Sequence, residues 1–161
     1  MKKLKLQLDL TEYLDQAELE QQDRDLLDYA WKACKNAYAP YSKFYVGAAV
    51  KMVNGEVITG NNQENAAFPS GLCAERVAIF AASSLYPGVA FESIAIVAQT
   101  DIFVLDEPVT PCGACRQVIA EYEQLAEKPI RIIMQSGGRT YIADGITNLL
   151  PLVFKAPGLK I

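Results

Sequence analysis

The sequence predicts an α/β fold in which one mostly buried sheet is covered by helices. Helix and strand patterns alternate along the chain in the order α-β-β-α-β-α-β-β. The segment from Ser93 to Gln99 is a continuous apolar run, which is typical of a buried strand. A length of 161 residues allows one domain with a sizeable core.

The chain opens with an alternating segment and a helix. Leucines at every second position from Leu4 to Leu10 indicate a short strand or an ordered arm. A helix is predicted from about Glu18 to Tyr38, because apolar residues recur at near-helical spacing and Pro40 follows. The apolar residues of this helix are Leu19, Leu26, Leu27, Ala30, Trp31, Cys34 and Tyr38.

The next elements are a hairpin and a second helix. Strand patterns over 45–53 and 56–62 flank Asn54-Gly55, the strongest short signal for a hairpin turn. The second helix is expected from about Cys73 to Leu85, and it ends before Pro87-Gly88.

The last elements follow the buried strand. A third helix is predicted from about Cys112 to Ala126. Strands over 129–135 and 139–144 flank a turn at Ser136-Gly137-Gly138, and a short helical piece is expected near the C-terminus. In such layered folds, sites form where strand ends meet helix starts, so the starts at Cys73 and Cys112 are expected side by side.

The composition narrows the class of function. Hydrophobic residues make up 51% of the chain, charged residues 21%, and the net charge is -4. This balance is that of a soluble globular protein, and it does not favour nucleic-acid binding, which needs a basic surface. No apolar run approaches a membrane span, and the N-terminus does not resemble a signal peptide. We therefore expect a cytoplasmic protein that binds neither nucleic acid nor membrane.

The cysteines and the missing histidines limit the chemistry further. In a reducing compartment, four cysteines are expected as thiols or metal ligands rather than disulfides. The sequence contains no histidine, which excludes a Ser-His or Cys-His pair and any imidazole metal ligand. Any proton transfer in catalysis must use another group.

Cys112 and Cys115 lie at a predicted helix start and are candidate metal ligands. Pro111 favours an extended residue before it, so the helix begins at about Cys112. Backbone N–H groups at a helix N-terminus stabilise thiolates, and two thiolates one turn apart can hold one zinc ion. A third ligand is needed, and it should be a cysteine or a carboxylate.

Cys73 at the start of the second helix can supply that ligand. Three thiolates leave one zinc position open for water, which is typical of a catalytic site. The pattern Cys73-Ala74-Glu75 followed by a Pro-Cys-x-x-Cys segment is the zinc pattern of nucleobase deaminases. Alternatives are a Cys112–Cys115 redox pair or a structural site completed by Cys34. We interpret Cys34 as a buried core residue, because it lies on the apolar stripe of the first helix.

From Tyr38 to Phe154 the chain resembles the small oligomeric cytidine deaminases. The matching segments, in order, are YSKFYVGAA, NNQENAAFPSGLCAERVA, PCGACRQV and LLPLVF. The resemblance implies a three-layer α-β-α sandwich with a central mixed five-stranded sheet. The arm, residues 1–16, lies outside the match, and residues 17–161 are expected as one catalytic domain.

The resemblance also implies a function and its residues. The expected reaction is zinc-dependent deamination of cytidine and 2'-deoxycytidine to the uridine nucleosides, with ammonia release, in pyrimidine salvage. One zinc per chain is expected on Cys73, Cys112 and Cys115, with Glu75 as the proton carrier. Glu75 could otherwise simply favour the helix dipole. Arg76 is expected to donate to the sulfurs and withdraw negative charge from them.

The resemblance further implies a substrate pocket shared between subunits. Residues expected to contact the nucleoside are Phe44, Asn62, Glu64, Ala74 and Phe154. Asn62 and Glu64 alternate on an extended segment, so both side chains point the same way, toward the ribose. Phe154 is expected to reach the pocket of a neighbouring subunit in a homotetramer. Rival hypotheses are a deaminase of another cytosine compound, such as a nucleoside antibiotic, and an inactive zinc-stabilised binding module.

Overall fold

The computed structural model describes residues 1–155, so the last six residues of the expected domain lie outside it. It contains three helices and six strands in the described part. The helices are α1 (Gln21–Cys34), α2 (Ala74–Leu85) and α3 (Gly113–Ala126). The strands are β1 (Thr11–Tyr13), β2 (Phe44–Met52), β3 (Val57–Asn61), β4 (Phe91–Thr100), β5 (Arg131–Ser136) and β6 (Arg139–Asp144).

The strands form one mixed sheet in the order β1-β6-β5-β4-β2-β3. β4 and β5 run parallel and are connected through α3, whereas the other neighbours run antiparallel. The predicted mixed sheet is confirmed, but it has six strands rather than five. The additional strand is β1, which pairs with β6 and forms one edge of the sheet.

The helices cover the two faces of the sheet and complete the predicted three layers. α1 packs on one face, where Leu27, Ala30 and Cys34 meet Ala49 and Val97. α2 and α3 pack on the other face, in a cluster that contains Ala78, Ile119, Ile96 and Met134. Alternate residues of β2 and β4 therefore point to opposite faces of the sheet and pack in different clusters, as the geometry of a pleated strand requires.

Gly60 lets α2 approach β3 closely, which fixes the start of this helix. A Cβ atom at Gly60 would lie 2.7 Å from the Ala74 carbonyl oxygen and would also collide with the Ala78 amide. Glycine is the residue for such an approach because it has no side chain. The contact places the first turn of α2 against the sheet beside the start of α3. Among the described residues, no helix has the length and apolar character to cross a membrane.

Candidate functional site

The starts of α2 and α3 bring three cysteines together. Cys73 and Cys112 are extended residues that immediately precede the two helices, and Cys115 lies in the first turn of α3. The Cys73 and Cys112 sulfurs are 3.9 Å apart, and all three sulfurs lie within 4.8 Å of one another. Tetrahedral zinc with Zn–S bonds of about 2.3 Å would separate two sulfurs by about 3.8 Å. The donor set and its spacing therefore fit zinc.

Arg76 lies beside this cluster, in the first turn of α2. Its Nη2 atom is 3.9 Å from the Cys73 sulfur. Hydrogen bonding with Cys115 is the main cause that lowers the pKa of the Cys73 thiol, and Arg76 adds to the effect. The Arg76 Nε atom is buried and unpaired within residues 1–155. Buried donors are rarely left unpaired, and an anionic metal–thiolate group beside this guanidinium would account for it.

Cys34, the fourth cysteine, does not belong to the cluster. Cys34 is the last residue of α1, and its buried thiol donates a hydrogen bond to the Tyr45 carbonyl at 3.3 Å. Burial raises the pKa of the Cys34 thiol to about 11, which keeps it protonated. The prediction that Cys34 is a core residue is confirmed.

A cavity of about 730 Å³ opens beside the cysteine cluster. Glu75 lines this cavity, although only 4% of the residue is exposed. Burial raises the pKa of the Glu75 carboxyl, which favours holding a proton there. The predicted residues that line the cavity are Phe44, Asn62, Glu64, Cys73, Glu75 and Cys112.

Asn62 and Glu64, two polar side chains that line the cavity, are held by hydrogen bonds with the backbone. Glu64 Oε2 accepts hydrogen bonds from the amides of Tyr41 at 2.9 Å and Ser42 at 3.3 Å. Hydrogen bonding with the Ser42 side chain is the first cause that lowers the pKa of Glu64, so this carboxylate stays ionised. Asn62 donates to the Phe44 carbonyl at 2.9 Å and accepts from the Val46 amide at 2.8 Å. Each side chain keeps further bonding capacity for a ligand.

Two of the five residues expected to contact the nucleoside, Ala74 and Phe154, do not line the cavity of their own chain. The Ala74 side chain is fully buried against the sheet in the first turn of α2. Its amide is one of the free N–H groups at the helix start. Phe154 is 72% exposed and lies over α3.

The structure adds two residues for which the sequence offered no argument. Arg116 donates to the Pro111 and Leu149 carbonyls at 2.7 and 2.6 Å, which ties the loop before Cys112 to the C-terminal turn. Gln117 bonds both backbone groups of Phe154, at 3.1 and 3.2 Å. Their position directly after Cys115 was visible in the sequence, but their partners 33 and 37 residues away were not.

The three-layer sandwich carries a three-cysteine group that could hold a metal ion, with the buried Glu75 carboxyl beside it at the same cavity. The family model for the cytidine and deoxycytidylate deaminase zinc-binding region matches residues 20–127. The chain belongs to this family.

Individual relatives agree with that assignment. A cytidine deaminase of Sporosarcina psychrophila is 51% identical over 92 residues, which are 56% of this chain and 62% of that protein. The chain thus matches somewhat less than two thirds of this relative. The crystal structure of a cytidine deaminase from Burkholderia pseudomallei is 37% identical with a TM-score of 0.69, and the match covers 81% of this chain and 98% of that one.

A relative with a different name also matches. A blasticidin-S deaminase of Bacillus cereus is 32% identical over 139 residues, which are 84% of this chain and 94% of that protein. The sequence is therefore similar to those of deaminases that differ in their named substrate.

Proposed function

We propose that this chain is a zinc-dependent cytidine deaminase that converts cytidine and 2'-deoxycytidine to uridine and 2'-deoxyuridine, with release of ammonia. The observation that carries the proposal is a buried carboxyl, Glu75, in a cavity that adjoins three clustered cysteine sulfurs. Cys73, Cys112 and Cys115 would hold the metal. When bound, zinc supplies Lewis acidity that lowers the pKa of water. The cytoplasm is the proposed location, because free thiols persist there.

Glu75 moves the protons of the proposed reaction. Its carboxylate removes a proton from the attacking water and delivers it to N3 of the cytosine ring, while the water oxygen bonds to C4. Glu75 then transfers the second proton of that water to the C4 amino group. The C4–N bond breaks, ammonia leaves, and the oxygen remains as the C4 carbonyl. A carboxyl that is buried and has a raised pKa suits both halves of this transfer.

Asn62 and Glu64, which line the cavity, would bind the sugar. Glu64 is held by the amides of Tyr41 and Ser42, so its second oxygen is oriented to accept from a ribose hydroxyl. The Asn62 amide is oriented by β2 in the same way and can donate to a hydroxyl. Phe44 lines the same cavity and would pack against the nucleoside. These three assignments, together with Ala74, remain proposals.

The proposed assembly is a homotetramer with shared sites. Phe154 is 72% exposed on its own chain, and it is an aromatic side chain that a partner could bury. In a neighbouring subunit it would close the cavity over the base and exclude water. The family resemblance supports this arrangement.

One preparation tests the function. Zinc is measured by metal analysis, and the absorbance change with cytidine is followed on the same sample. We expect one zinc per chain and turnover of cytidine, whereas free cytosine should be a very poor substrate because Asn62 and Glu64 would be left unpaired. Absence of turnover by the zinc-loaded protein would contradict the proposal and support an inactive binding module. Faster turnover of blasticidin S than of cytidine would support the nucleoside-antibiotic alternative.

A further inference from the structure

Within the N-terminal arm, residues 1–10 carry a row of exposed leucines that leads into the edge strand β1. Leu4, Leu6, Leu8 and Leu10 are 80%, 54%, 50% and 47% exposed. β1 is the last strand at its side of the sheet, so one of its edges has no partner among residues 1–155. An open strand edge beside exposed apolar side chains is a surface that pairs readily with another strand.

Asp9 lies two residues before β1 and is held on the β6 side of the sheet. β1 pairs with β6 from Thr11 to Tyr13, and the Asp9 amide donates to Asn148 Oδ1 at 3.1 Å, just beyond the end of β6. In an extended chain, the backbone groups of alternate residues point to opposite edges. The Asp9 N–H points toward the β6 side, so in an extended arm the odd-numbered residues would direct their backbone N–H and C=O groups to that side. The even-numbered residues would then direct their backbone N–H and C=O groups to the open edge.

We propose that the arm pairs antiparallel with the arm of a second copy of this chain, about a two-fold axis that passes at Gln7. The open edge requires even-numbered residues to face even-numbered residues, and this register satisfies that requirement. Side chains directly opposite each other then lie on the same face of the two-stranded ribbon. The opposed pairs are Leu4–Leu10, Leu6–Leu8, Lys5–Asp9, Lys2–Glu12 and Gln7–Gln7, and all except the last occur twice by symmetry.

The neighbouring registers lose this match. A shift of two residues in one direction places Lys2 opposite Leu10, and a shift in the other places Leu4 opposite Glu12. In the Gln7 register, all four leucines of each arm lie opposite leucines of the other arm. Lys5 then lies opposite Asp9, and Lys2 lies opposite Glu12. Glu12 also accepts a 3.4 Å hydrogen bond from Arg139, which is exposed and can share the carboxylate.

Charge complementarity identifies the partner as a second copy. A lipid surface that binds an apolar strand would favour basic residues throughout. This arm instead carries Lys2, Lys3 and Lys5 in its first part and Asp9 and Glu12 further on, so antiparallel pairing brings the basic part of each copy beside the acidic part of the other. The arm thus contains the complement of its own charges.

Disulfide cross-linking tests the register. In Gln7→Cys, the two new thiols would face each other across a pair with Cβ atoms about 4.5–5.5 Å apart, close enough for a disulfide after a small adjustment. Mild oxidation of the zinc-loaded full chain should convert most of it to a covalent dimer. The matched control is Lys5→Cys, whose thiols would be offset by four residues, or about 13 Å, and should stay at the wild-type level. No dimer with Gln7→Cys, or equal dimer with both variants, would overturn the register.

A charge exchange gives a second, independent measurement. Lys5→Glu and Asp9→Lys each create two like-charge pairs and should weaken arm-dependent association about tenfold at low salt. The double variant Lys5→Glu/Asp9→Lys restores opposite charges and should recover it. Sedimentation is compared with that of a chain lacking residues 1–10, which should retain zinc and turnover. If the double variant associates as weakly as the single variants, the proposed pairing is wrong. Binding to phosphatidylserine vesicles that occurs only when the arm is present would also overturn it, because the arm would then bind lipid.

Discussion

Glu75 is the residue on which the proposed chemistry depends, and its surroundings are unusual for a glutamate. Acidic side chains are almost never fully buried unless they are paired, yet Glu75 is only 4% exposed and lies two residues after Cys73. A glutamate that served only the helix dipole would remain exposed to water. Its burial beside the cavity therefore favours the interpretation as proton carrier.

Replacement of Glu75 by Gln keeps the shape and removes the carboxyl. We expect turnover of cytidine to fall by about 100-fold or more, which is the lower range for general acid–base catalysis. Zinc content should stay near one per chain, because the three cysteines are untouched. Glu56→Gln, at an exposed position in the hairpin, is the control and should behave as wild type. Near-normal turnover in Glu75→Gln would remove this residue from the mechanism.

The cysteine cluster and Glu75 could be identified from the sequence because each lies in a short local pattern. The contacts that orient Glu64 and Asn62 in the cavity could not be identified from the sequence. Glu64 is held by the amides of Tyr41 and Ser42, more than twenty residues earlier in the chain. These amides carry no side-chain signature, so only the folded backbone reveals them.

At the scale of elements, the position of α2 depends on Gly60 in β3. A methyl group at this position would press on the first turn of α2, which follows Cys73 directly. Gly60→Ala should lower the free energy of unfolding by about 1–3 kcal/mol, the usual cost of overpacking, and should weaken zinc retention. Thermal unfolding and metal analysis after dialysis measure both effects.

The matched control for this substitution is Gly113→Ala at the start of α3. An added methyl there meets nothing within 4 Å, so stability should change by no more than about 1 kcal/mol. Equal effects of the two substitutions would show that helix approach at Gly60 is not the cause.

α3 holds the C-terminal segment through Gln117, which bonds both backbone groups of Phe154. If Phe154 closes a neighbouring pocket, loss of this clamp should raise KM for cytidine about tenfold with little change in kcat, since two hydrogen bonds are lost. Glu121→Ala, at an exposed position one turn along α3, is the control. Gln117→Ala should add little in a Phe154→Ala background, and full additivity would contradict the positioning role.

The helix bounds show where local patterns stop being sufficient. α1 was predicted from about Glu18 to Tyr38 but runs from Gln21 to Cys34. Its apolar stripe continues to Tyr38, yet the Tyr38 backbone forms a bridge with Gln63 instead. At the N-terminal side, residues 16–18 form a separate 3-10 turn capped by Asp15. Tertiary pairing and local capping thus shorten a helix that periodicity alone extends.

At the scale of the whole molecule, the order of helices and strands followed from alternation of patterns, and the three layers followed from the resemblance. The position of the sixth strand, β1, did not follow from either of them. The leucine alternation falls on residues 4–10, but strand pairing occurs at Thr11–Tyr13, where β6 offers a free edge. A short strand is specified by its partner more than by its own sequence. The division of the chain at residues 16 and 17 stays a prediction.

The proposed sharing of a site between subunits leads to a prediction that is tested on mixed assemblies. Phe154→Ala removes the ring that would close a neighbouring pocket, so KM should rise and assembly should weaken. Glu75→Gln chains keep that ring but lack the proton carrier. In mixed tetramers, some pockets would combine Glu75 of a Phe154→Ala chain with Phe154 of a Glu75→Gln chain. Cytidine turnover at low substrate should therefore exceed the sum of the two separate variants.

The control replaces the Glu75→Gln partner with the double variant Glu75→Gln/Phe154→Ala. Mixed tetramers form in that case too, but no chain supplies an intact Phe154, so turnover should not rise. Subunit exchange is verified by native mass spectrometry with one partner isotope-labelled. If exchange is complete and the first mixture gains nothing over the control, each pocket is closed by its own chain, and the exposed Phe154 contributes only to packing between subunits.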